Sequence, residues 1–382
     1  MDELMIYIHI PFCVKKCNYC DFLSFAMGQD AIEAYCKRLK EEIREESEAF
    51  FGKVVTSVFI GGGTPSILTK EQIASVLQTL KESYQLSKDC EVTMECNPGT
   101  LDEEKLLWMR KAGINRLSIG LQSAHSKELE LLGRIHSFED FQESFYMARK
   151  AGFDNINVDV MFALPKQTLE SYLDSLKKVC ELRPEHISAY SLIIEEGTPF
   201  KELYKEDQRC IEKGLNPAVL PDEDAERRMY EQTEQFLSQF GYHRYEISNY
   251  SLDGQECRHN KGYWTRKDYL GLGLGASSLI HNQRWKQTES MENYLEQSQR
   301  DIQVLSLQEQ MEEFVFLGLR LMDGISYQDF EQAFHVDFKS VYETVLEKNR
   351  KDHFLLEEKD RLRLTKKGID MSNYILAEFL LD

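Results

Sequence analysis

The sequence predicts an α/β fold, an incomplete (β/α)6 TIM-like barrel followed by a small C-terminal helical, winged-helix-like domain. Three observations carry that expectation. Short β-rich runs alternate with longer stretches whose apolar residues recur three and four apart, a pattern of strands and amphipathic helices that predicts a parallel sheet. Polar or glycine-rich text recurs at the ends of these runs, where the carboxyl ends of parallel strands meet. From about Ser306 the pattern changes to helices around one hairpin.

Taken in order, the predicted strands are 5–10, 54–60, 91–95, 116–121, 155–162 and 186–192. The helical patterns that follow them are 32–46, 70–84, 102–112, 138–150, 169–182 and 222–240. Six such units fall two short of a full barrel and place the first domain at 1–250. Residues 251–305 read as a bridging segment with the text His259-Asn260-Lys261-Gly262-Tyr263-Trp264 and a glycine-rich bend at Gly271, Gly273 and Gly275. That glycine spacing departs from G-x-G-x-x-G, so no dinucleotide site is expected there. The last domain, 306–382, is predicted to hold helices at 306–322, 327–334 and 338–349, a hairpin around Lys359-Asp360 and a final helix at 365–381.

A chain of 382 residues is long enough for one large domain and a small one. Its 42% hydrophobic and 29% charged residues are those of an ordinary globular protein. The formal net charge of -19 speaks against a nucleic-acid footprint, which needs a basic face, and against a broad contact with anionic lipid. Nine scattered cysteines, an odd number, suit a reducing compartment better than a disulfide framework. The text opens straight into a strand without a leader pattern, and no apolar run reaches membrane-spanning length. A cytoplasmic protein with no integral membrane segment is the expectation.

Directly after the first run, Cys13, Cys17 and Cys20 stand at C-x3-C-x2-C. Three thiolates on a short loop can each hold one iron of a 4Fe-4S cube, with the fourth iron keeping an open position. Zinc competes, because C-x2-C is also a zinc spacing. Structural zinc, however, takes four closed ligands, and no second C-x2-C or H-x3-H is present. Three cysteines so close together beside Lys15 and Lys16 would also pack poorly as core. Cys96 and Cys257 are alternative ligands, set against the commoner fate of an isolated cysteine as a buried free thiol. Tyr7 and Tyr19 either pack over what the loop holds or are ordinary half-buried aromatics.

Gly61, Gly62 and Gly63 end the second strand without a Cβ, so their backbone can either approach a ligand or make a tight turn before a helix. No Gly-Lys-Ser/Thr follows, which excludes a P-loop. Glu95 closes an apolar strand. Pointed into a barrel mouth, its carboxylate accepts from a hydroxyl or an ammonium; exposed, it would be unremarkable. Gln122, after the fourth strand, and Asp159, within the fifth, share that end of the sheet. His259 has two readings, a structural histidine or a haem ligand with Tyr263 and Trp264 covering the ring. There is no Cys-x-x-Cys-His, so covalent c-type attachment is not expected.

C-x3-C-x2-C after a first strand resembles the radical S-adenosylmethionine (SAM) superfamily. The flanking Tyr7-Ile8-His9-Ile10-Pro11-Phe12-Cys13 resembles its oxygen-independent coproporphyrinogen III oxidase-like family. The resemblance runs from Tyr7 through the glycine bend and is looser beyond it. It implies that the open iron binds the amino and carboxylate groups of SAM, and that an electron from a donor cleaves SAM to a 5'-deoxyadenosyl radical. It also implies SAM contacts from Tyr7, Tyr19, Gly62, Gly63, Thr64 and Glu95, with the glycine run meeting the amino group. By the same resemblance Arg134 pairs with the carboxylate, Gln122 with ribose or substrate, and Asp159 with ribose or a second ligand.

Two departures choose a branch. The oxidase carries a further cysteine two positions beyond the third, where this chain has Phe22, and an extension ahead of the first strand, where this chain has only a few residues before Met5. The His-Asn-x-x-Tyr-Trp text instead resembles the haem chaperone branch, which implies a haem-binding role for His259. The resulting expectation is a chaperone that binds a 4Fe-4S cluster, SAM and haem and passes haem to an acceptor protein, for which a respiratory protein is one option. In that expectation the cluster serves as a redox switch. Two alternatives stay open: radical decarboxylation of coproporphyrinogen propionates, and a non-catalytic SAM-binding scaffold that docks a respiratory partner.

Overall fold

The computed structural model describes residues 2–296 and 300–381. All six predicted strands form, as β1 Glu3–Ile10, β2 Val54–Gly62, β3 Gln85–Cys96, β4 Arg116–Gln122, β5 Ile156–Phe162 and β6 His186–Ser191. They pair in sequence order and in parallel, joined by helical crossovers as parallel neighbours require. Three of the crossover helices start where side chains satisfy the first backbone N–H groups. Thr69, Ser137 and Thr168 close capping boxes with Gln72, Asp140 and Ser171.

Side chains alternate across each strand, and here the alternation separates two chemistries. Ile6, Val58, Met94, Leu117, Val158 and Ile187 point outward and are buried under the helices in one large core. The other set, including Tyr7, Glu95, Ser118 and Asp159, faces an interior cavity. A sheet with apolar text on one face and polar text on the other curls so that the polar face encloses the site.

The sheet continues beyond both ends of the six-strand run. Beside β6 lie two antiparallel strands, β7 His243–Arg244 and β8 Asn249–Ser251. On the other edge β9 Tyr269–Leu272 pairs in parallel with β1, and β10 Ser277–Ile280, β11 Gln283–Lys286 and β12 Ile302–Val304 follow antiparallel. The order is β12-β11-β10-β9-β1-β2-β3-β4-β5-β6-β8-β7, an open sheet rather than a closed barrel. The described residues of the stretch 251–305 therefore supply β9 to β12 and the helices Arg258–Trp264 and Met291–Leu295.

Helices Leu307–Gly318, Tyr327–Phe334 and Phe338–Lys351 pack with a small sheet, β13 Ile325–Ser326, β14 Leu355–Glu358 and β15 Arg361–Leu364, in the order β13-β15-β14. Their core of Val315, Phe330, Phe338, Tyr342 and Leu362 is separate from the large one. The expected final helix is two helices, Lys366–Asp370 and Ser372–Ala377, because Met371 takes φ -109° and ψ 19°, outside helical values. Glu313 ties this domain to the sheet, accepting from Arg266 Nε at 3.0 Å and lying 2.7 Å from Arg284 Nη2. Among the described residues no helix is long and apolar enough to cross a membrane.

Candidate functional site

β1 delivers the chain to a loop carrying Cys13, Cys17 and Cys20, all free and partly exposed. Backbone hydrogen bonds pin this loop to its surroundings. Cys13 N donates to Phe25 O at 3.0 Å, Thr64 N to Phe12 O at 2.7 Å and Asn18 N to Leu132 O at 2.9 Å. The loop after β2 lies this close because of Gly63, where a Cβ would stand 2.6 Å from Phe12 O. Gly62, at φ +114°, takes a conformation that side chains disfavour. Two donors reach the sulfurs: Thr64 Oγ1 lies 3.4 Å from Cys13 Sγ and Arg134 Nη1 lies 3.7 Å from Cys17 Sγ.

Beneath the loop is a cavity of about 560 Å³, the size of a small-molecule site. It is lined by the three cysteines, Tyr7, Tyr19, Gly62, Gly63, Thr64, Glu95, Gln122, Arg134, Asp159 and His259, whereas Gly61, Cys257 and Trp264, also singled out from the sequence, are not among its lining residues. The candidates that line it come from the strands β1 to β5, their loops and the helix Arg258–Trp264, as expected where parallel strands end together.

Glu95 Oε2 accepts from Gly62 N at 3.0 Å. Burial, and then the charge of Asp159, push the Glu95 carboxyl up to about 8, so it carries a proton at neutral pH. Burial also raises Asp159, against the pull of hydrogen bonds from Asn157 Nδ2 at 2.8 Å and Ser118 Oγ at 3.3 Å. Arg134 is fixed by Nη2 donating to Asn97 Oδ1 at 2.8 Å and to Gly120 O at 2.6 Å, while its Nε meets no acceptor among the described residues. Gln122 sits at φ +72°, where the pairing of β4 with β5 slips by a residue. Strain of this kind costs roughly 1–3 kcal/mol and persists where its surroundings hold it. Here Tyr190 OH donates to Gln122 Oε1 at 3.4 Å. Tyr7 stacks on Phe59, with ring centroids 6.3 Å apart, and its OH lies 2.9 Å from His9 Nδ1.

His259 is 1% exposed and stacks on Phe59 at 5.4 Å. Both of its nitrogens are engaged, Nδ1 with Ser57 Oγ at 2.9 Å and Nε2 with Tyr263 OH at 3.0 Å. Burial, then Arg116, hold its imidazole down to about 3, so it is neutral. One helical turn brings His259 and Tyr263 to the same wall. Trp264 instead lies under Arg320 of the C-terminal domain, 4.5 Å from its ring centroid, and does not line the cavity. The Tyr-Trp pair thus does not form one aromatic cover. Cys96 and Cys257 are buried, and the Cys257 Sγ donates to Glu91 Oε1 at 3.5 Å.

The residues fit a cluster better than a single ion. Among the described residues no three His, Cys, Asp or Glu side chains converge on one ion position, whereas cube-binding thiolates each address a different iron. The glycine cradle, Glu95 and the anchored Arg134 suit a ligand that carries both amino and carboxylate groups. The sequence reading missed Arg116, Asn97 and Asn157. The available signal was period-2 spacing, which puts Arg116 and Ser118 on the Gln122 face of β4 and Asn157 on the Asp159 face of β5.

Comparison with known proteins agrees. The radical SAM superfamily pattern matches residues 7–179, and the HemN C-terminal domain pattern matches residues 305–371. The chain is 35% identical over 380 residues to heme chaperone HemW of Lactococcus lactis, covering 98% of this chain and 97% of that protein. It is 34% identical over 390 residues to heme chaperone HemW of Escherichia coli, covering 100% and 99%. A solved structure described as coproporphyrinogen III oxidase (HemN) from Escherichia coli, a radical SAM enzyme, superposes with a TM-score of 0.84 at 25% identity, over 99% of this chain and 90% of that one. With full-length identity at this level, the chain belongs to the radical SAM superfamily and, within its coproporphyrinogen oxidase-like family, to the heme chaperones named HemW.

Proposed function

We propose that this protein is a cytoplasmic haem chaperone that holds a 4Fe-4S cluster on Cys13, Cys17 and Cys20, binds SAM in the cavity beneath, and passes haem to an acceptor protein. The observation that carries the reading is the convergence of the cysteine loop, the Gly62–Thr64 turn, Glu95 and Arg134 on one cavity. It is supported by full-length relatives that bear the chaperone name. When bound, the cluster and SAM supply one-electron chemistry at an open iron, for which an external electron donor is needed.

The chain's own residues have separable tasks. Thr64 and Arg134 donate to cysteine sulfur and offset thiolate charge. Arg134, held in plane by Asn97 and Gly120, presents its remaining donors to a carboxylate. Glu95 releases its proton when a cationic amino group approaches, and Asp159 and Gln122 flank the ribose or a second ligand. Tyr7 and Tyr19 form apolar walls. For His259 to ligate haem iron, Nε2 must leave Tyr263.

The test loads the cluster-bearing chain with haem and mixes it with an apo-haemoprotein. The expected outcome is a Soret band on the chaperone, weakened in His259→Ala, that shifts to the acceptor's spectrum on mixing. A chain that gives no Soret response removes the chaperone reading. Conversion of coproporphyrinogen III to vinyl products, given SAM and reductant, would establish the oxidase in its place.

A further inference from the structure

The cavity contains a cation that cluster and SAM binding leave without a task. Arg116 opens β4, is 2% exposed and lines the cavity on the same strand face as Gln122. Six residues of strand separate the two, about 20 Å, so Arg116 marks the floor as Gln122 marks the mouth. A buried guanidinium is costly unless acceptors meet its donors. Its Nε meets none among the described residues. The acidic groups that act on it, Cys257, Glu91, Tyr245 and Asp159, do so through space. Glu91 is already taken by Cys257 Sγ, Arg258 N and His259 N, and Asp159 by Asn157 and Ser118. His186 offers no lone pair either, since its nitrogens are engaged by Asn157 at 2.6 Å and Tyr245 at 2.8 Å.

We propose that Arg116 anchors a carboxylate-binding subsite at the floor of the barrel, which takes the propionate arm of a tetrapyrrole lying in the same cavity. The planar guanidinium fork matches a carboxylate bidentately. Beside it the stacked rings of Tyr7, Phe59 and His259 form a wall suited to a flat apolar body. The identity of the ligand rests on the haem reading above; the carboxylate chemistry does not.

The test uses the full-length, cluster-reconstituted chain with haem and with haem dimethyl ester, whose propionates carry no charge. Wild type is expected to bind haem roughly 10- to 100-fold more tightly than the ester, as a charged hydrogen bond warrants. Arg116→Met is expected to bring haem down to the ester's affinity and leave the ester unchanged, with Arg116→Lys in between. Equal haem affinity in wild type and Arg116→Met, or equal affinity of wild type for haem and ester, overturns the proposal. If wild type binds neither porphyrin, the haem reading has failed, and isotope-labelled propionate decides the subsite. Line broadening by wild type that Arg116→Met abolishes upholds the subsite, and no broadening by wild type overturns it. Should Arg116→Met not fold, Arg116→Lys against wild type gives the same comparison.

Discussion

Replacing Glu95 with Gln tests the electrostatics of the cavity directly. The substitution removes a carboxyl that burial and Asp159 hold up to about 8, against an ordinary value of 4.5, and it keeps an oxygen to accept from Gly62 N. Because the folded value lies above the unfolded one, the folded chain retains a proton that the unfolded chain has released between those two pH values. Stability therefore falls as pH rises from about 4.5 to about 8. At about 1.4 kcal/mol for each unit, this group removes about 3–5 kcal/mol across that window, and the Gln variant escapes the loss. Urea unfolding of the cluster-free chain from about pH 5 to about pH 8.5 should show the variant gaining on wild type by that amount as pH rises. SAM affinity should move the other way, falling roughly 10- to 100-fold for one charged contact. A stability difference that stays flat across the range would refute the reasoning.

Three further outcomes are expected. Gly63→Ala puts a Cβ against the Phe12 carbonyl, which should cost about 1–3 kcal/mol and lower the iron retained after reconstitution; unchanged thermal unfolding and iron content would show that the close approach is dispensable. Glu313→Ala leaves Arg266 and Arg284 without their buried partner, at a cost of about 3 kcal/mol, and limited proteolysis should then cut between sheet and C-terminal domain, an idea sunk by an unaltered cleavage pattern. His259 has a folded value of about 3 below its ordinary 6.5, so the stability it contributes is complete above pH 6.5 and is lost as pH falls. Between about pH 6.5 and pH 4.5 wild type should lose about 3 kcal/mol more than His259→Gln, and parallel acid profiles would contradict the enclosed, neutral imidazole.

Much of this architecture was legible because the six strands carry strong local text. Each has an apolar set that the helices bury, and β5 and β6 were bounded from sequence to within a residue at either end. The candidate residues were legible for a related reason, since polar side chains at strand ends gather wherever parallel strands end. β9 was read only as a glycine-rich bend: Tyr269–Leu272 is four residues long, and only its pairing with β1 makes it a strand. The split at Met371 depends on how Ile369 and Phe379 reach the small core, which no local periodicity encodes. Arg116 looked like the polar start of a strand, and its burial becomes visible only when β3 and β5 close around it. The two faces of the helix Arg258–Trp264 likewise separate Tyr263 from Trp264, adjacent in the text, by directing one to the cavity and the other to Arg320.

The central claim is that Cys13, Cys17 and Cys20 hold a cube with one iron free for SAM. Anaerobic reconstitution followed by iron and acid-labile sulfide determination tests it most directly. The account predicts about four of each per chain, lost in Cys17→Ser, and a change in the reduced cluster's paramagnetic resonance when SAM is added. Protein that stays colourless and iron-poor, or that takes up a single zinc ion instead, would contradict it.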